Sequence, residues 1–261
     1  MKFCSLASGS SGNCEYIEYK DTKILIDAGL SGKKVENLLD SINVDIKSID
    51  AIFVTHEHID HVKGVGVLAR RHKLKVFTNE DTFNSMIPTT KEIDPNNVFF
   101  FENEKPFQYK DLYIEPINSF HDCSKGSCFT ITGNKKISLV TDTGFVDQNI
   151  MEKISDSDLY FIEANHDKEM LLSGSYPWSL KQRILSNHGH LSNENTSNML
   201  QKLLKRNKEI VMLSHLSEDN NLPSVASRTV RNSLLNKNIN EGTDYILEVA
   251  KRECASTMYE L

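Results

Sequence analysis

The heptapeptide THEHIDH, residues 55–61, contains three of the nine histidines of this 261-residue chain. It directly follows the apolar, strand-like run AIFV at residues 51–54. A lone histidine at a strand end is most often packed or solvated without a special role. Here four ligand-type side chains, His56, His58, Asp60 and His61, fall within seven residues, and this density indicates a metal site at the end of a strand.

Other apolar runs end in residues of the same kind. ISLV leads to Asp142, IVML to His215, LYFI to Glu163 and KILI to Asp27, and LYIEPI reaches His121 after a short loop. Open sheets bind ligands at the carboxyl ends of their strands. We therefore expect these side chains to meet at one edge, although they are spread over the chain.

This ligand set is larger than one ion needs, since a zinc-type ion takes about four ligands and a catalytic one keeps a position open for water. We expect two ions roughly 3.5–4 Å apart that share a hydroxide as the nucleophile. The expected ligands are His56, His58 and His121 for one ion, Asp60, His61 and His215 for the other, and Asp142 as a bridge. A closed structural zinc site is disfavoured because such sites seldom use carboxylates.

Composition narrows the class of protein. The chain is 39% hydrophobic, enough for a sizeable core, and no linker or repeat interrupts it, so a single domain over residues 1–261 is expected. Its five unpaired-looking cysteines and an N-terminus without a long apolar stretch favour a cytoplasmic protein. No run approaches the roughly 18 apolar residues of a membrane span. The formal charge of −6 argues against a protein that coats nucleic acid generally, since such proteins are usually basic throughout. A local basic surface is still compatible with this net charge.

Short β-type runs and amphipathic helices alternate. Strands are predicted at residues 15–19, 23–26, 51–54, 75–78, 98–101, 112–117, 128–132, 136–140, 159–162 and 209–213. Helices are predicted around residues 35–42, at 62–72, at 177–185 beginning with Pro177, after a cap at Ser192 or Asn193, and from Pro223. Strands followed by accumulating helices predict two sheets with helices packed outside them.

These motifs resemble those of a known superfamily. THEHIDH resembles the HxHxDH signature of the metallo-β-lactamase fold, and the order Asp27, HxHxDH, His121, Asp142, His215 is similar to the order of its motifs. More narrowly, LASGSSGN, THEHIDHVKGVG, SFHD, VTDTG, IEANHD, GHLSN and LSHLSEDNN resemble the WalJ/YycJ family, from about residue 3 to about residue 223.

The resemblance implies an α/β fold, the four-layer αββα sandwich. It also implies an enzyme, a phosphodiesterase that degrades DNA from 5′ to 3′ in the cytoplasm with two divalent metal ions, Mn²⁺ or Zn²⁺. Asp60 is then expected to serve catalysis as well as metal binding. Asp27 is expected to fix the ligand loop by hydrogen bonds, as carboxylates behind metal ligands do.

Two further motifs favour phosphodiester chemistry. IEANHD and GHLSN resemble the Glu-Ala-Thr and Gly-His-Ser-Thr motifs of RNase Z enzymes. By that analogy Glu163 orients His190, and His190 steadies the scissile phosphate or protonates the leaving 3′ oxygen. In the competing interpretation, Glu163 only ends a strand and His190 lies in a loop.

The SGSSGN segment, residues 8–13, is a candidate anion-binding loop. Its glycines and serines would let backbone N–H groups approach a phosphate, so the expected substrate-binding residues are Ser8, Ser10, Ser11 and Asn13. A plain hairpin turn explains the composition equally well. Cys123, two residues after His121, is a further candidate to approach the metals.

Alternatives remain open. A sister enzyme could act on RNA ends, a cyclic nucleotide or a thiol ester, although a thiol-ester hydrolase leaves Glu163 and His190 unexplained. From another class, the chain could be a metal-stabilised binding or regulatory module without hydrolytic activity. An intact set of seven ligands argues against that module. The sequence does not choose the metal or the oligomeric state.

Overall fold

The computed structural model describes all 261 residues. Contacts along the backbone divide the chain into two compact units. The first unit comprises Met1–Asn118, Cys123–Asn134 and Lys251–Leu261, and the second comprises Ser119–Asp122 and Lys135–Ala250. The expectation of a single domain stays a prediction. No helix is both long enough and apolar enough to cross a lipid bilayer.

The first unit contains a seven-stranded sheet with the order β14-β1-β2-β3-β4-β5-β6. The strands are β1 Lys2–Ala7, β2 Cys14–Tyr19, β3 Thr22–Ile26, β4 Ala51–Phe53, β5 Lys75–Thr78, β6 Val98–Phe100 and β14 Tyr259–Glu260. Pairing is antiparallel from β14 to β3 and parallel from β3 to β6. Because Ile26 pairs with Phe53, β3 and β4 end at the same edge of the sheet.

Four helices belong to the first unit: α1 Gly32–Ser41, α2 Ile59–Val62, α3 Val65–His72 and α4 Glu80–Thr90. Ser31 and Asn79 cap α1 and α4 by accepting a backbone N–H bond. The apolar face of α1, with Val35 and Leu39 fully buried, joins a core cluster that also holds Ile52 of β4. Burial of these side chains fixes the helices against the sheet.

The same unit contains three antiparallel strands, β7 Phe107–Tyr109, β8 Leu112–Asn118 and β9 Ser127–Thr132. Aromatic rings link them to β4 and β5. Phe53 stacks on Phe77 at 4.7 Å between ring centroids and meets Phe129 edge-on at 6.3 Å. Since Ile52 lies in the aliphatic cluster and Phe53 in this aromatic one, β4 is covered on both faces.

The second unit is built on four parallel strands in the order β13-β12-β11-β10. These are β10 Lys136–Val140, β11 Leu159–Glu163, β12 Glu209–Ser214 and β13 Tyr245–Val249. The helices are α5 Gln148–Ile154, α6 Lys168–Ser173, α7 Trp178–Leu185, α8 Asn193–Leu203 and α9 Pro223–Leu235. Every residue of β11 and β12 is buried, as is typical of parallel strands covered on both faces.

All the predicted strands are confirmed, each to within one residue at either end. The single helix predicted at residues 62–72 is wrong, because α2 and α3 are separate helices on either side of Gly64. A Cβ atom at Gly64 would lie 2.4 Å from the Leu30 carbonyl oxygen, so only glycine permits this close approach. Pro177 is the residue before α7 and not its first residue. Ser192, not Asn193, caps α8.

Candidate functional site

The first group of candidate ligands, the histidine-loop cluster, comprises His56, His58, Asp60 and His61 of the first unit. His56 and His58 follow β4 in non-regular backbone, and Asp60 and His61 lie in the one-turn helix α2. The His56 ring is 4.6 Å from the His58 ring and 4.1 Å from the His61 ring, measured between centroids. His61 Nε2 lies 3.5 Å from Asp60 Oδ2. The short loop therefore gathers all four side chains.

Asp27 holds this cluster from the end of β3. Its Oδ1 accepts the Thr55 backbone N–H at 2.8 Å, and its Oδ2 accepts the Thr55 hydroxyl and His61 Nδ1, each at 2.7 Å. Burial raises the pKa of Asp27, while these hydrogen bonds favour the charged form. His61 Nδ1 is thereby the protonated nitrogen, so the lone pair that a metal would bind lies on Nε2.

We expect Asp27→Asn to weaken metal binding by about 10- to 100-fold, the usual effect of losing a partner behind a metal ligand. The new amide would place an N–H group against either the Thr55 hydroxyl or His61 Nδ1. His61 would then favour the tautomer that protonates Nε2. Competition with a chromophoric chelator measures the affinity. Asp50→Asn is the matched control, since Asp50 also accepts a strand N–H, that of Lys23; equal losses in both variants would contradict the argument.

The second group, the strand-end cluster, lies in the second unit and comprises His121, Asp142, Glu163, His190 and His215. Asp142 Oδ1 is 3.5 Å from His215 Nε2 and 3.8 Å from His121 Nε2. Ligand-type atoms of Asp142, Glu163, His190 and His215 all lie within 4.8 Å of one another. These distances bring two histidine nitrogens to one oxygen of the Asp142 carboxylate.

Parallel strand register explains this convergence. Val140 of β10 pairs with Ile162 of β11, and Glu163 pairs with Ser214 of β12, so the three strands end together. Asp142 and His215 then adopt left-handed backbone, with φ of 53° and 51°, and Asp27 after β3 does the same with φ of 59°. Non-glycine residues rarely adopt this conformation, and it recurs at functional sites.

Glu163 is wholly buried, and both of its carboxylate oxygens are engaged. Oε1 accepts from His190 Nδ1 at 2.7 Å and His215 Nδ1 at 3.1 Å, while Oε2 accepts the backbone N–H groups of Thr143 and Leu191, each at 3.2 Å. Burial opposes its ionisation, but His190 and these hydrogen bonds lower its pKa to about 2. With both oxygens engaged, Glu163 is suited to orient histidines rather than to bind a metal.

His190 is hydrogen-bonded to Glu163 and is also partly exposed to solvent. Burial favours the neutral ring, yet the Glu163 carboxylate raises the pKa of His190. Its side chain is 21% exposed, whereas that of Glu163 is fully buried. Nδ1 is held by Glu163, so Nε2 is the nitrogen available to another group.

The histidines predicted as ligands share an arrangement that fits a divalent ion. In four of them Nδ1 lies within hydrogen-bond distance of an oxygen. For His56 this is the Thr55 hydroxyl at 3.0 Å, and for His61 it is the Asp27 carboxylate at 2.7 Å. For His121 it is the Gly189 carbonyl and for His215 the Glu163 carboxylate, each at 3.1 Å. This fixes the tautomer and leaves Nε2 for a metal. Imidazole nitrogens with aspartate oxygens suit a catalytic ion better than a closed structural one.

Comparison with known proteins places this chain in a family. The Beta-lactamase superfamily domain matches residues 22–216. Exodeoxyribonuclease WalJ of Streptococcus pneumoniae is 40% identical over 264 aligned residues, covering 100% of this chain and 98% of that protein. The chain belongs to the WalJ-like family of this superfamily. Exodeoxyribonuclease YycJ of Bacillus anthracis is 38% identical and covers 93% of this chain and 92% of its own.

Among solved structures, the metallo-β-lactamase fold protein YhfI of Bacillus subtilis superposes with a TM-score of 0.73 at 15% identity, covering 98% of this chain and 99% of its own. That likeness concerns the fold alone. Together with the family match it confirms the expected metallo-β-lactamase fold. The expected class, a metal-dependent hydrolase, is confirmed as well, and divalent metal ions are supported as its cofactors.

In this WalJ-like chain the SGSSGN loop divides into two parts. Ser10 and Ser11 are exposed, whereas Ser8 and Asn13 are buried. The Asn13 amide nitrogen lies 3.0 Å from His61 Nε2, and its oxygen accepts the Gly9 N–H at 2.9 Å. Asn13 thus also supports the histidine-loop cluster, and the substrate-binding role of the loop stays a prediction. Cys123 is half-buried, and its role is likewise untested.

Three residues that position the candidate ligands were not predicted from the sequence. Thr55 links Asp27 to the histidine loop, and Asn165 donates its amide to the His215 carbonyl at 3.0 Å. Thr143 accepts the Phe120 N–H at 3.1 Å and donates its hydroxyl to the Phe145 carbonyl at 2.7 Å. Each lies next to or within a quoted motif, so its position in sequence was a usable signal, but its partners were not visible there.

Proposed function

We propose that this chain is a metal-dependent exonuclease that degrades DNA from the 5′ end. The observation that carries the reaction class is the 2.7 Å hydrogen bond between Glu163 and His190 beside Asp142. It orients a proton-carrying ring next to a candidate metal ligand, where the ring can act as a general acid in phosphodiester cleavage. The choice of DNA is supported by the names of two relatives, both exodeoxyribonucleases, at 38–40% identity.

The proposed cofactors are two divalent ions, Mn²⁺ or Zn²⁺. The proposed ligands are His56, His58 and His121 for one ion, Asp60, His61 and His215 for the other, and Asp142 for both. Such ions would supply Lewis-acid stabilisation of the phosphate and lower the pKa of water. Nitrogen and oxygen donors bind zinc more tightly than manganese, so supply in the cell decides which is loaded.

The protein's own part in the reaction falls to three residues. His190, anchored through Nδ1, presents Nε2 to the substrate, where it steadies the scissile phosphate or gives a proton to the leaving 3′ oxygen. Glu163 positions His190 and favours its charged form. Asp60, whose Oδ2 lies 3.5 Å from His61 Nε2, is proposed to serve catalysis as well as metal binding.

The remaining parts of the proposal concern substrate and location. The SGSSGN loop, through Ser8, Ser10, Ser11 and Asn13, is proposed to contact substrate phosphates with backbone and hydroxyl donors. A cytoplasmic location is part of the same proposal and agrees with five cysteines that form no disulfide.

The test is digestion of one duplex DNA labelled at either end, with Mn²⁺, Zn²⁺ or a chelator. We expect mononucleotides to appear from the 5′ end first, and chelation to abolish cleavage reversibly. RNA of the same sequence serves as the comparison substrate. Release from the 3′ end would reject the polarity. Failure of protein loaded with two metal equivalents to cut DNA, while it cuts RNA, would reject DNA as the substrate.

A further inference from the structure

A pocket of about 230 Å³ opens in the second unit beside the strand-end cluster. Its walls include Phe145, Leu191, Asn195, Asn198, Met199 and Lys202. Drug-sized ligands usually occupy roughly 300–1,000 Å³. The volume therefore suits a smaller group.

Backbone connections tie this pocket to the strand-end cluster. Leu191, which forms part of the wall, directly follows His190 and donates its N–H to Glu163. On the other side Phe145 is three residues after Asp142, and its carbonyl is held by the Thr143 hydroxyl at 2.7 Å. A group in the pocket would lie within a few residue lengths of a phosphate held at His190.

Gly144 makes this closeness possible. A Cβ atom there would lie 2.3 Å from the Ser186 carbonyl oxygen and 2.6 Å from the Gly189 nitrogen. The loop that leads to Phe145 can therefore pack against the loop that leads to His190 only without a side chain at this position.

The lining residues combine an apolar floor, an aromatic wall and a polar rim. Leu191 and Met199 are buried, while Phe145 is 45% exposed and its ring meets the Phe120 ring edge-on at 5.7 Å. An exposed ring beside an apolar floor is a stacking surface for another flat group.

The rim is one face of α8. Asn195, Asn198 and Lys202 follow one another at intervals of three and four residues, which places them on the same side of the helix. All three are exposed, and the structure shows no hydrogen bond from their side chains to the protein. Each amide offers donors and an acceptor, and the lysine offers a positive charge.

We propose that this pocket holds one base of the DNA strand being degraded, next to the nucleotide that is cut. Phe145 stacks on the base, Asn195 and Asn198 contact its polar edge, and Lys202 faces the neighbouring phosphate. Stacking accepts every base, so such a subsite grips a strand without reading its sequence. The inference rests on the proposed exonuclease function and adds the element that holds the substrate.

The experiment removes Phe145 and a DNA base separately and together, using the metal-loaded full chain. DNA substrates carry a single abasic nucleotide at one of the first few positions, and cleavage is measured for the wild type and for Phe145→Ala. We expect Phe145→Ala to raise the KM for intact DNA roughly 5- to 150-fold, the range for one lost stacking contact. At one position of the abasic nucleotide, the KM of the wild type should rise by the same factor. The KM of Phe145→Ala should rise little further with that substrate, because the stacking contact is already lost.

Further arms separate binding from folding. Phe145→Trp should restore the KM, Asn198→Ala should raise it without changing metal content, and Phe100→Ala, at a surface phenylalanine of the first unit, should change nothing. The loss in Phe145→Ala should be smaller for a fully abasic strand of the same length, which has no flat group to stack on Phe145. The proposed base subsite would be wrong if Phe145→Ala raised the KM equally on both substrates. It would also be wrong if the effects of Phe145→Ala and of the abasic nucleotide were independent at every position. A wild type that cuts no DNA overturns the exonuclease proposal and this DNA-base assignment with it.

Discussion

With alanine in place of Asp142, the protein is expected to lose one of two metal equivalents and at least about 10³-fold in DNA cleavage, near the upper end for loss of a charge-stabilising group. Asp142 is 4% exposed, and its Oδ1 lies within 3.8 Å of both His121 and His215. Without this carboxylate, the ion keeps two neutral imidazoles, because the other carboxylate of the strand-end cluster, Glu163, is already hydrogen-bonded through both oxygens. Metal analysis and end-labelled digestion measure the two effects.

The substitution also removes an aspartate from left-handed backbone, and Asp156→Ala controls for that. Asp156 has φ of 60°, close to the 53° of Asp142, but its side chain is 65% exposed and pairs with Lys205. An exposed pair contributes little, so the control should keep metal and activity. Asp142→Asn, which tolerates the backbone, should fail like alanine. An Asp142→Ala variant that keeps both metals and most of its activity would refute the assignment.

His190→Ala is expected to lower kcat by about 10²–10⁴-fold, the range for a positioned proton donor, and to leave metal content unchanged. The reason is that His190 Nδ1 is committed to Glu163 while its ring is partly exposed. A group that acts mainly in the transition state lowers kcat more than it raises KM. Single-turnover digestion with metal analysis provides both readings.

His188→Ala is the matched control for that loss. His188 lies two residues earlier in the same loop, and only its backbone is hydrogen-bonded, through Ser186 Oγ and Asp122. Its removal should leave cleavage intact. If His190→Ala loses metal in proportion to activity, His190 is a ligand and not the phosphate-side residue. If it loses neither, the pairing with Glu163 is structural.

Much of the fold could be predicted because most of its strands are buried runs with clear ends. β10 and β11, for instance, are mostly apolar, and polar turns follow them, so composition and length were enough to predict both strands. The short edge strands β7 and β14 carry too little pattern to detect. The break between α2 and α3 was missed because helical periodicity continues across Gly64. In the structure the Gly64 N–H donates to the carbonyl of the distant Ala28 and not to the preceding helical turn.

The candidate ligands could be selected from the sequence because their residue types and strand-end positions are unusual together. Their orienting contacts could not, since each joins residues far apart in the chain, as Asp27 joins His61 and Glu163 joins His215. The pocket at Phe145 is the extreme case. Its lining residues have ordinary types and spacing, and only the tertiary packing around Gly144 brings them beside His190.

The left-handed backbone at Asp27, Asp142 and His215 has a consequence for protein engineering. Each such residue carries a conformational cost of order 1 kcal/mol that glycine would not. At Asp27 and His215 the side-chain hydrogen bonds to Thr55, His61 and Glu163 oppose the gain from glycine. A library selected for thermal stability alone would therefore enrich glycine first at Asp142, and the enriched variants would be inactive. Selection should instead hold these positions constant and seek gains elsewhere, for example among exposed residues of the helices.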